Sequence, residues 1–132
     1  MVYAVYFDEN YGCLEAGVEF YCDIFWVVLC LDGTATLRYS SCPSTTVDIF
    51  EAVVDPKDAE EIINKYINIH IESPFETYDR KDEAREIAEK IVKEIEERGG
   101  VFELVEVCDL LPDGECYNVA EEEPPYSGGC GS

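Results

Sequence analysis

A run of eight apolar residues, Ile24–Leu31, constrains the fold more than any other feature, because it has no polar side. A strand that is apolar on both sides is buried on both sides, so this run predicts a central strand of a sheet. The Asp32-Gly33 dipeptide that follows it favours a tight β-hairpin. A two-residue loop would place Trp26 opposite Tyr39, on the face that packs against the core.

The residues just before this run alternate in polarity from Leu14 to Asp23, which predicts a half-buried antiparallel strand. Its apolar side chains would face the core, and its polar side chains would face solvent. Tyrosine is favoured in recognition surfaces, although it is also common in ordinary strands. We therefore predict an acidic binding face that consists of Glu15, Glu19, Tyr21 and Asp23.

Two helices are predicted in the middle of the chain. Asp55-Pro56 is typical of a helix start, with the aspartate as the cap and the proline in the first turn. A second helix is predicted from about Asp79 to Arg98, where apolar residues recur at helical spacing and Gly99-Gly100 follows. Charged residues four apart on its outer side predict ion pairs within the helix. These residues are Glu86, Lys90, Glu94 and Arg98.

These segments together predict an α+β fold, with a mainly antiparallel sheet of about five strands and two helices packed on one face. Other predicted strands are Val2–Phe7, Ser44–Val54 and Val101–Cys108. Residues 1–120 are expected to form a single domain. Residues 121–132 contain Glu, Pro and Gly without periodicity, which predicts a flexible acidic tail.

The net charge of −21 is distributed unevenly, since eight of the nine basic residues lie between Lys57 and Arg98. Outside that segment Arg38 is the only base. Nucleic-acid affinity depends on Lys and Arg that neutralise phosphates, so direct binding of nucleic acid is not expected. Anionic membranes are disfavoured for the same reason. Basic protein surfaces and divalent cations are the partners that the charge favours, although such charge also simply increases solubility.

Seven cysteines in 132 residues predict disulfide bonds, because no Cys-x-x-Cys pair is present to suggest a zinc or redox site. The predicted hairpin brings Cys22 near Cys42, and Cys108 and Cys116 flank a turn. Free thiols are the alternative for each of them. The seventh cysteine leaves an unpaired thiol, and Cys130 in the tail could link two chains into a homodimer.

The compartment expected from the sequence is the cell interior. The N-terminus lacks the basic region and the cleavage site of a secretory signal. No segment reaches the roughly 18 apolar residues that span a bilayer. Intracellular proteins rich in disulfides are typical of hyperthermophiles, so a hyperthermophilic source is indicated.

No catalytic or cofactor-binding motif is found, and no cofactor is expected. The carboxylates of Asp8 and Glu9 are candidate ligands for a divalent cation, which could activate water in a hydrolase. His70 is a candidate general base, but a lone histidine more commonly has a structural role. Catalytic residues are therefore not assigned.

In its composition the chain resembles the orphan proteins of viruses that infect hyperthermophilic archaea, which are small, contain Cys and Tyr, and lack standard motifs. The resemblance covers no motif. Three hypotheses for function follow. The first is a non-enzymatic protein that docks on a basic protein surface, such as the nucleic-acid-binding site of a host protein. The others are a metal-dependent hydrolase that uses the N-terminal carboxylates, and a disulfide-linked component of virions or their assembly.

Overall fold

A computed structural model describes residues 2–73, 80–110 and 114–119. These residues form an α+β fold with one mainly antiparallel sheet and two helices, as predicted, but the sheet has eight strands and not about five. The strands are β1 (Val2–Asp8), β2 (Cys13–Phe20), β3 (Asp23–Cys30), β4 (Thr34–Ser40), β5 (Thr46–Val53), β6 (Ile71–Glu72), β7 (Glu103–Asp109) and β8 (Cys116–Asn118). The helices are α1 (Pro56–Tyr66) and α2 (Lys81–Glu97). The predicted tail, with Cys130, lies outside the described residues.

The strand order across the sheet is β6-β1-β2-β3-β4-β5-β7-β8, and every neighbouring pair is antiparallel. The five strands from β1 to β5 are consecutive neighbours, as short connections favour. After α1 the chain returns to the far edge as β6, which pairs with Ala4 and Val5 of β1. After α2 it joins the opposite edge as β7, with a bulge beside Ile49 and Phe50. The central position predicted for β3 is therefore confirmed.

The hairpin of β3 and β4 is present, but the predicted two-residue loop is wrong. Three residues, Leu31 to Gly33, connect the strands, and Gly33 adopts a left-handed φ of 95°. Its amide donates to the carbonyl of Cys30 at 2.9 Å, which closes the turn. The longer loop shifts the register by one residue, so Trp26 pairs with Arg38. A shift of one residue exchanges the two faces of a strand, and Trp26 therefore points away from the helices.

The predicted continuous strand from Leu14 to Asp23 is also wrong, because a turn at Tyr21 and Cys22 separates β2 from β3. Phe20 and Asp23 are partners across this turn. Tyr21 has a φ of 53°, a left-handed conformation that tyrosine rarely adopts. No glycine or asparagine signals this turn, which is why the polarity pattern appears to continue through it.

The core lies between the helices and one face of the sheet. Asp55 caps α1 as predicted, since its Oδ1 accepts a hydrogen bond from the amide of Lys57 at 2.9 Å. Side chains from both helices and from the sheet are fully buried together. Each Å² of apolar surface that they remove from water stabilises the fold by about 25 cal/mol. The largest of these residues are Tyr3, Leu14, Leu29, Ile62, Ile63, Ile71, Ile91 and Ile95.

Ion pairs within α2 are present as predicted, but two members of the predicted ladder, Glu94 and Arg98, pair with α1 instead. Lys90 is 3.9 Å from Glu86 on the same helix, as expected. Glu94, however, accepts from Lys65 of α1 at 2.6 Å. Arg98 donates to Asp58 and Glu61 of α1 at 2.9 and 2.6 Å. These bonds fix the two helices against each other.

Candidate interaction surface

One face of the sheet carries neither of the two helices that the structure describes, and we call it the helix-free face. Residues directly opposite each other on neighbouring strands point to the same side of a sheet. The buried Val27, Leu29 and Leu37 point toward the helices, so Trp26 and Arg38 point to the other side. One continuous row crosses the helix-free face from edge to edge. It consists of Glu72, Ala4, Gly17, Trp26, Arg38, Ile49, Glu106 and Asn118.

The helix-free face is strongly acidic. Arg38 is the only basic residue in any of the described strands, and its Nη1 donates to Oε1 of Glu19 at 3.2 Å. This ion pair is about 40% exposed, with side-chain values of 37% and 43%. Arg38 therefore neutralises one carboxylate and leaves the others in excess. The strand register places these carboxylates on this face: Asp8, Glu15, Glu19, Glu51, Glu72, Glu103 and Glu106.

Two half-buried aromatic residues lie beside the carboxylate of Glu15 near the centre of this face. The indole Nε1 of Trp26 donates to Oε1 of Glu15 at 3.1 Å. The Tyr6 side chain lies directly opposite Glu15 on β1. Burial raises the pKa of the Tyr6 hydroxyl, and the nearby carboxylate of Glu15 raises it further. The Tyr6 hydroxyl therefore stays protonated beside Glu15.

Gly17 lies directly opposite Trp26 and has a backbone conformation that only glycine adopts readily. Its φ is 152°, and a Cβ there would lie 2.1 Å from the carbonyl oxygen of Phe25. Gly17 is itself buried in the sheet. To reach Glu15, the indole of Trp26 extends over β2 beside this glycine.

Three disulfide bonds join segments of the sheet. Cys22–Cys42 and Cys108–Cys116 confirm the two predicted pairs, with Cα–Cα distances of 5.0 and 4.0 Å. The third, Cys13–Cys30, was missed from the sequence. These two residues are direct partners on β2 and β3, so recognition of the turn at Tyr21 would have aligned them.

The predicted binding residues do not all lie on one face. Glu15 and Glu19 share the helix-free face, as expected. Tyr21 lies in the turn between β2 and β3, where its side chain is 84% exposed. Asp23 points to the helix side, and its Oδ1 accepts from Arg85 of α2 at 3.0 Å. The prediction that Asp23 shares this acidic face is therefore wrong, because β2 ends at Phe20, before Asp23.

The structure also gives positions for the candidate catalytic and metal-binding residues. Asp8 accepts from the amide of Asn10 at 3.0 Å, and Glu9 is exposed in the following turn. Among the described residues neither belongs to a group of three potential metal ligands. The group that does form contains Glu106, Cys108 and Cys116. Both of its cysteines are joined in a disulfide, so they offer no thiolate to a metal.

His70 is exposed beside the sheet edge. Its Nε2 lies 2.9 Å from Oε2 of Glu72, and both side chains are well over half exposed. The arrangement is that of an exposed hydrogen-bonded pair, which contributes little to stability.

A shallow groove of about 360 Å³ lies where β5 ends and β7 begins. The carboxylates of Glu51 and Glu103 line it together with apolar side chains. Val53 and Val101 are the most exposed of these, at 68% and 67%. The acidic character of the helix-free face therefore continues to this edge of the sheet.

Trp26, Tyr6 and Arg38 form the centre of the helix-free face but were not predicted as site residues. The register from a two-residue loop assigned Trp26 to the core, which concealed its position next to Glu15. Recognition of a three-residue loop, with Gly33 in the left-handed position, would have placed it correctly.

Comparison with known proteins does not add to this description. No protein-family model, no curated protein and no solved structure matches the chain. Neither α1 nor α2, the helices that the structure describes, is long and apolar enough to cross a membrane.

Proposed function

We propose that this chain is a non-enzymatic binding protein whose helix-free face docks on a basic protein surface. The observation that carries the proposal is the charge of this face, where seven strand carboxylates accompany one guanidinium. Like charges that are held together in this way cost stability, and a basic partner would remove that cost.

The centre of the face supports the same proposal. Trp26 and Tyr6 are half-buried there, and interfaces are enriched in tryptophan and tyrosine. An aromatic centre with a charged rim is the usual arrangement of a docking surface, because the centre loses water on binding while the rim directs the approach. The rim here is formed by Glu51, Glu72 and Glu106.

The partner that fits this face is a protein surface rich in Lys and Arg. Surfaces that bind nucleic acid have this character, so a host protein of that kind is the proposed partner. Free nucleic acid would be repelled by the same carboxylates. The proposed setting is the interior of a host cell, in keeping with the resemblance to orphan proteins of archaeal viruses.

A titration followed by ¹⁵N chemical shifts tests the proposal. The probe is a nine-residue peptide of alternating Arg and Gly, added to the full chain in 50 mM and in 300 mM salt. We expect saturable shifts of amides on β2, β3 and β4, with weaker binding at the higher salt. Duplex DNA added afterwards should remove the peptide from the protein, because both compete for it.

Matched charge variants give the control. Glu51→Gln with Glu106→Gln removes two charges from the helix-free face, and should weaken peptide binding about three- to tenfold. Glu86→Gln with Glu97→Gln removes two exposed charges from α2 and should leave binding unchanged. Equal weakening by both pairs, or shifts spread evenly over helices and sheet, would show non-specific attraction and overturn the proposal.

The other two hypotheses gain no support from the described residues. Asp8 and Glu9 have no third ligand beside them, and Cys130 lies outside the described part of the chain. Neither is therefore proposed as the function of this chain.

A further inference from the structure

We infer that Trp26 and Glu15 form a binding site for one guanidinium group, supplied by an arginine of the basic partner. The inference rests on the proposed function and deepens it, because it names the side chain that occupies the centre of the helix-free face. The site is the outward face of the indole together with the carboxylate beside it.

Glu15 is held in place by Trp26 without being paired with a described cation. Its carboxylate accepts a hydrogen bond from Trp26 and lies opposite Tyr6, and both of these side chains are uncharged. Glu15 forms no ion pair with any residue that the structure describes, since Arg38 is bound to Glu19. A fixed carboxylate in a half-buried aromatic setting attracts a cation more strongly than a mobile, fully hydrated one.

The indole ring of Trp26 forms the other half of the site. Cation–π contacts occur elsewhere in this chain, where Lys81 lies over Phe20 and Arg85 lies over Phe25 at 5.9 and 5.3 Å. No described cation lies over Trp26, although tryptophan is the aromatic residue that binds cations best. The indole is only partly buried and has Gly17 beside it, so no bulky neighbour on β2 stands in the way of a cation.

Arginine fits this site better than lysine does. A guanidinium is planar, so it can stack on the indole and still direct its edge N–H groups at a neighbouring carboxylate. A lysine ammonium binds as a point charge and gains less from a flat surface. The same face already contains one guanidinium–carboxylate pair, between Arg38 and Glu19.

The test uses the single tryptophan of the chain as its own reporter. The full-length protein is titrated with the Arg-Gly peptide and with its Lys-Gly counterpart, and Trp26 emission is recorded. We expect saturable quenching by the arginine peptide, with an affinity at least about threefold higher than for the lysine peptide. Equal affinities and unchanged emission would contradict the inference.

Variants separate this inference from the proposed function. By calorimetry, Trp26→Leu and Glu15→Gln should each weaken binding of the arginine peptide about fivefold, while Glu97→Gln should not. If Trp26→Leu binds the peptide as the parent does, the inference fails and the proposed function stands. If the parent does not bind the peptide, both fail. Circular dichroism shows whether each variant folds. If Trp26→Leu does not fold, Trp26→Phe and Glu15→Gln are used in its place. Binding of the peptide by both variants as tightly as by the parent would then overturn the inference.

Discussion

Glu51 of β5 and Glu103 of β7 lie directly opposite each other on the helix-free face, and both side chains are exposed. Like charges in this position destabilise a sheet. We therefore expect Glu103→Gln to raise the free energy of unfolding by about 0.2–1 kcal/mol in low salt. Urea denaturation at 10 and 500 mM NaCl measures this, and salt should reduce the gain because it screens the repulsion. A loss of stability in Glu103→Gln would contradict the expectation.

The contact between the helices predicts a dependence of stability on pH. Burial alone would raise the pKa of Glu94, but hydrogen bonds from Lys65 and Tyr66 outweigh it and lower the pKa. A carboxyl with a lowered pKa in the folded state stabilises above its unfolded pKa, about 4.3, and the stabilisation is lost as pH falls through the folded value. Glu94→Gln should therefore cost about 1 kcal/mol at pH 7 and less at pH 3.

Denaturation of the parent chain and of Glu94→Gln at both pH values measures this difference. Tyr66→Phe is an independent variant, because it removes only the hydroxyl that donates to Glu94 at 2.6 Å. It should cost about 1 kcal/mol at pH 7. A cost for Glu94→Gln that is the same at pH 3 and pH 7 would show that the charge of Glu94 is unimportant.

Two glycines with positive φ provide a matched pair for the backbone of β2. An alanine at either position must adopt an unfavourable conformation, but only at Gly17 would its Cβ also meet the backbone of β3. At Gly99 nothing lies within 4 Å. We expect Gly99→Ala to cost about 1 kcal/mol and Gly17→Ala at least about 3 kcal/mol. Thermal or urea unfolding of both variants checks this, and equal costs would contradict the close approach of β2 and β3.

Peptide mapping without reduction should find the pairs Cys13–Cys30, Cys22–Cys42 and Cys108–Cys116. Replacing both Cys13 and Cys30 by alanine opens a loop with a sequence separation of 17 residues. The chain-entropy estimate for such a loop is about 3 kcal/mol, which the unfolding free energy of the variant should show. Any other pairing in the mapped peptides would contradict the register of β2 and β3.

The seventh cysteine permits a separate measurement. If Cys130 links two chains, a gel without reductant shows a dimer that disappears in Cys130→Ser. We expect the three mapped pairs to be the same in the variant and in the parent, because they use the other six cysteines. A change in the pairs would mean that Cys130 exchanges with them.

Features with strong local signals were predictable from the sequence. The cap at Asp55, the run of α2 and the Cys108–Cys116 bond each depend on residues close together in the chain. The strands β6 and β8 contain two and three residues, which is too short for an alternating pattern. Their existence depends on the edges of the sheet offering unpaired backbone groups, and this is a property of the whole fold.

The candidate surface was only half predictable because it depends on register. Glu15 and Glu19 follow from simple alternation within β2. To predict the face on which Trp26 lies, the length of the loop after β3 must be known, since one residue more or less moves the side chain between core and surface. Asp23 was misplaced because the turn at Tyr21 uses a conformation that nothing in the local composition indicates.

The close approach of β2 and β3 at Gly17 also determines how this protein can vary. Residues around the margin of the sheet can be exchanged without disturbing any backbone, so the acidic rim is open to gradual mutation. Gly17, next to Trp26, does not tolerate substitution, because the side chain of any other amino acid would force two central strands apart. Relatives of this chain should therefore differ in the number of carboxylates on the rim, while the glycine beside the tryptophan stays the same.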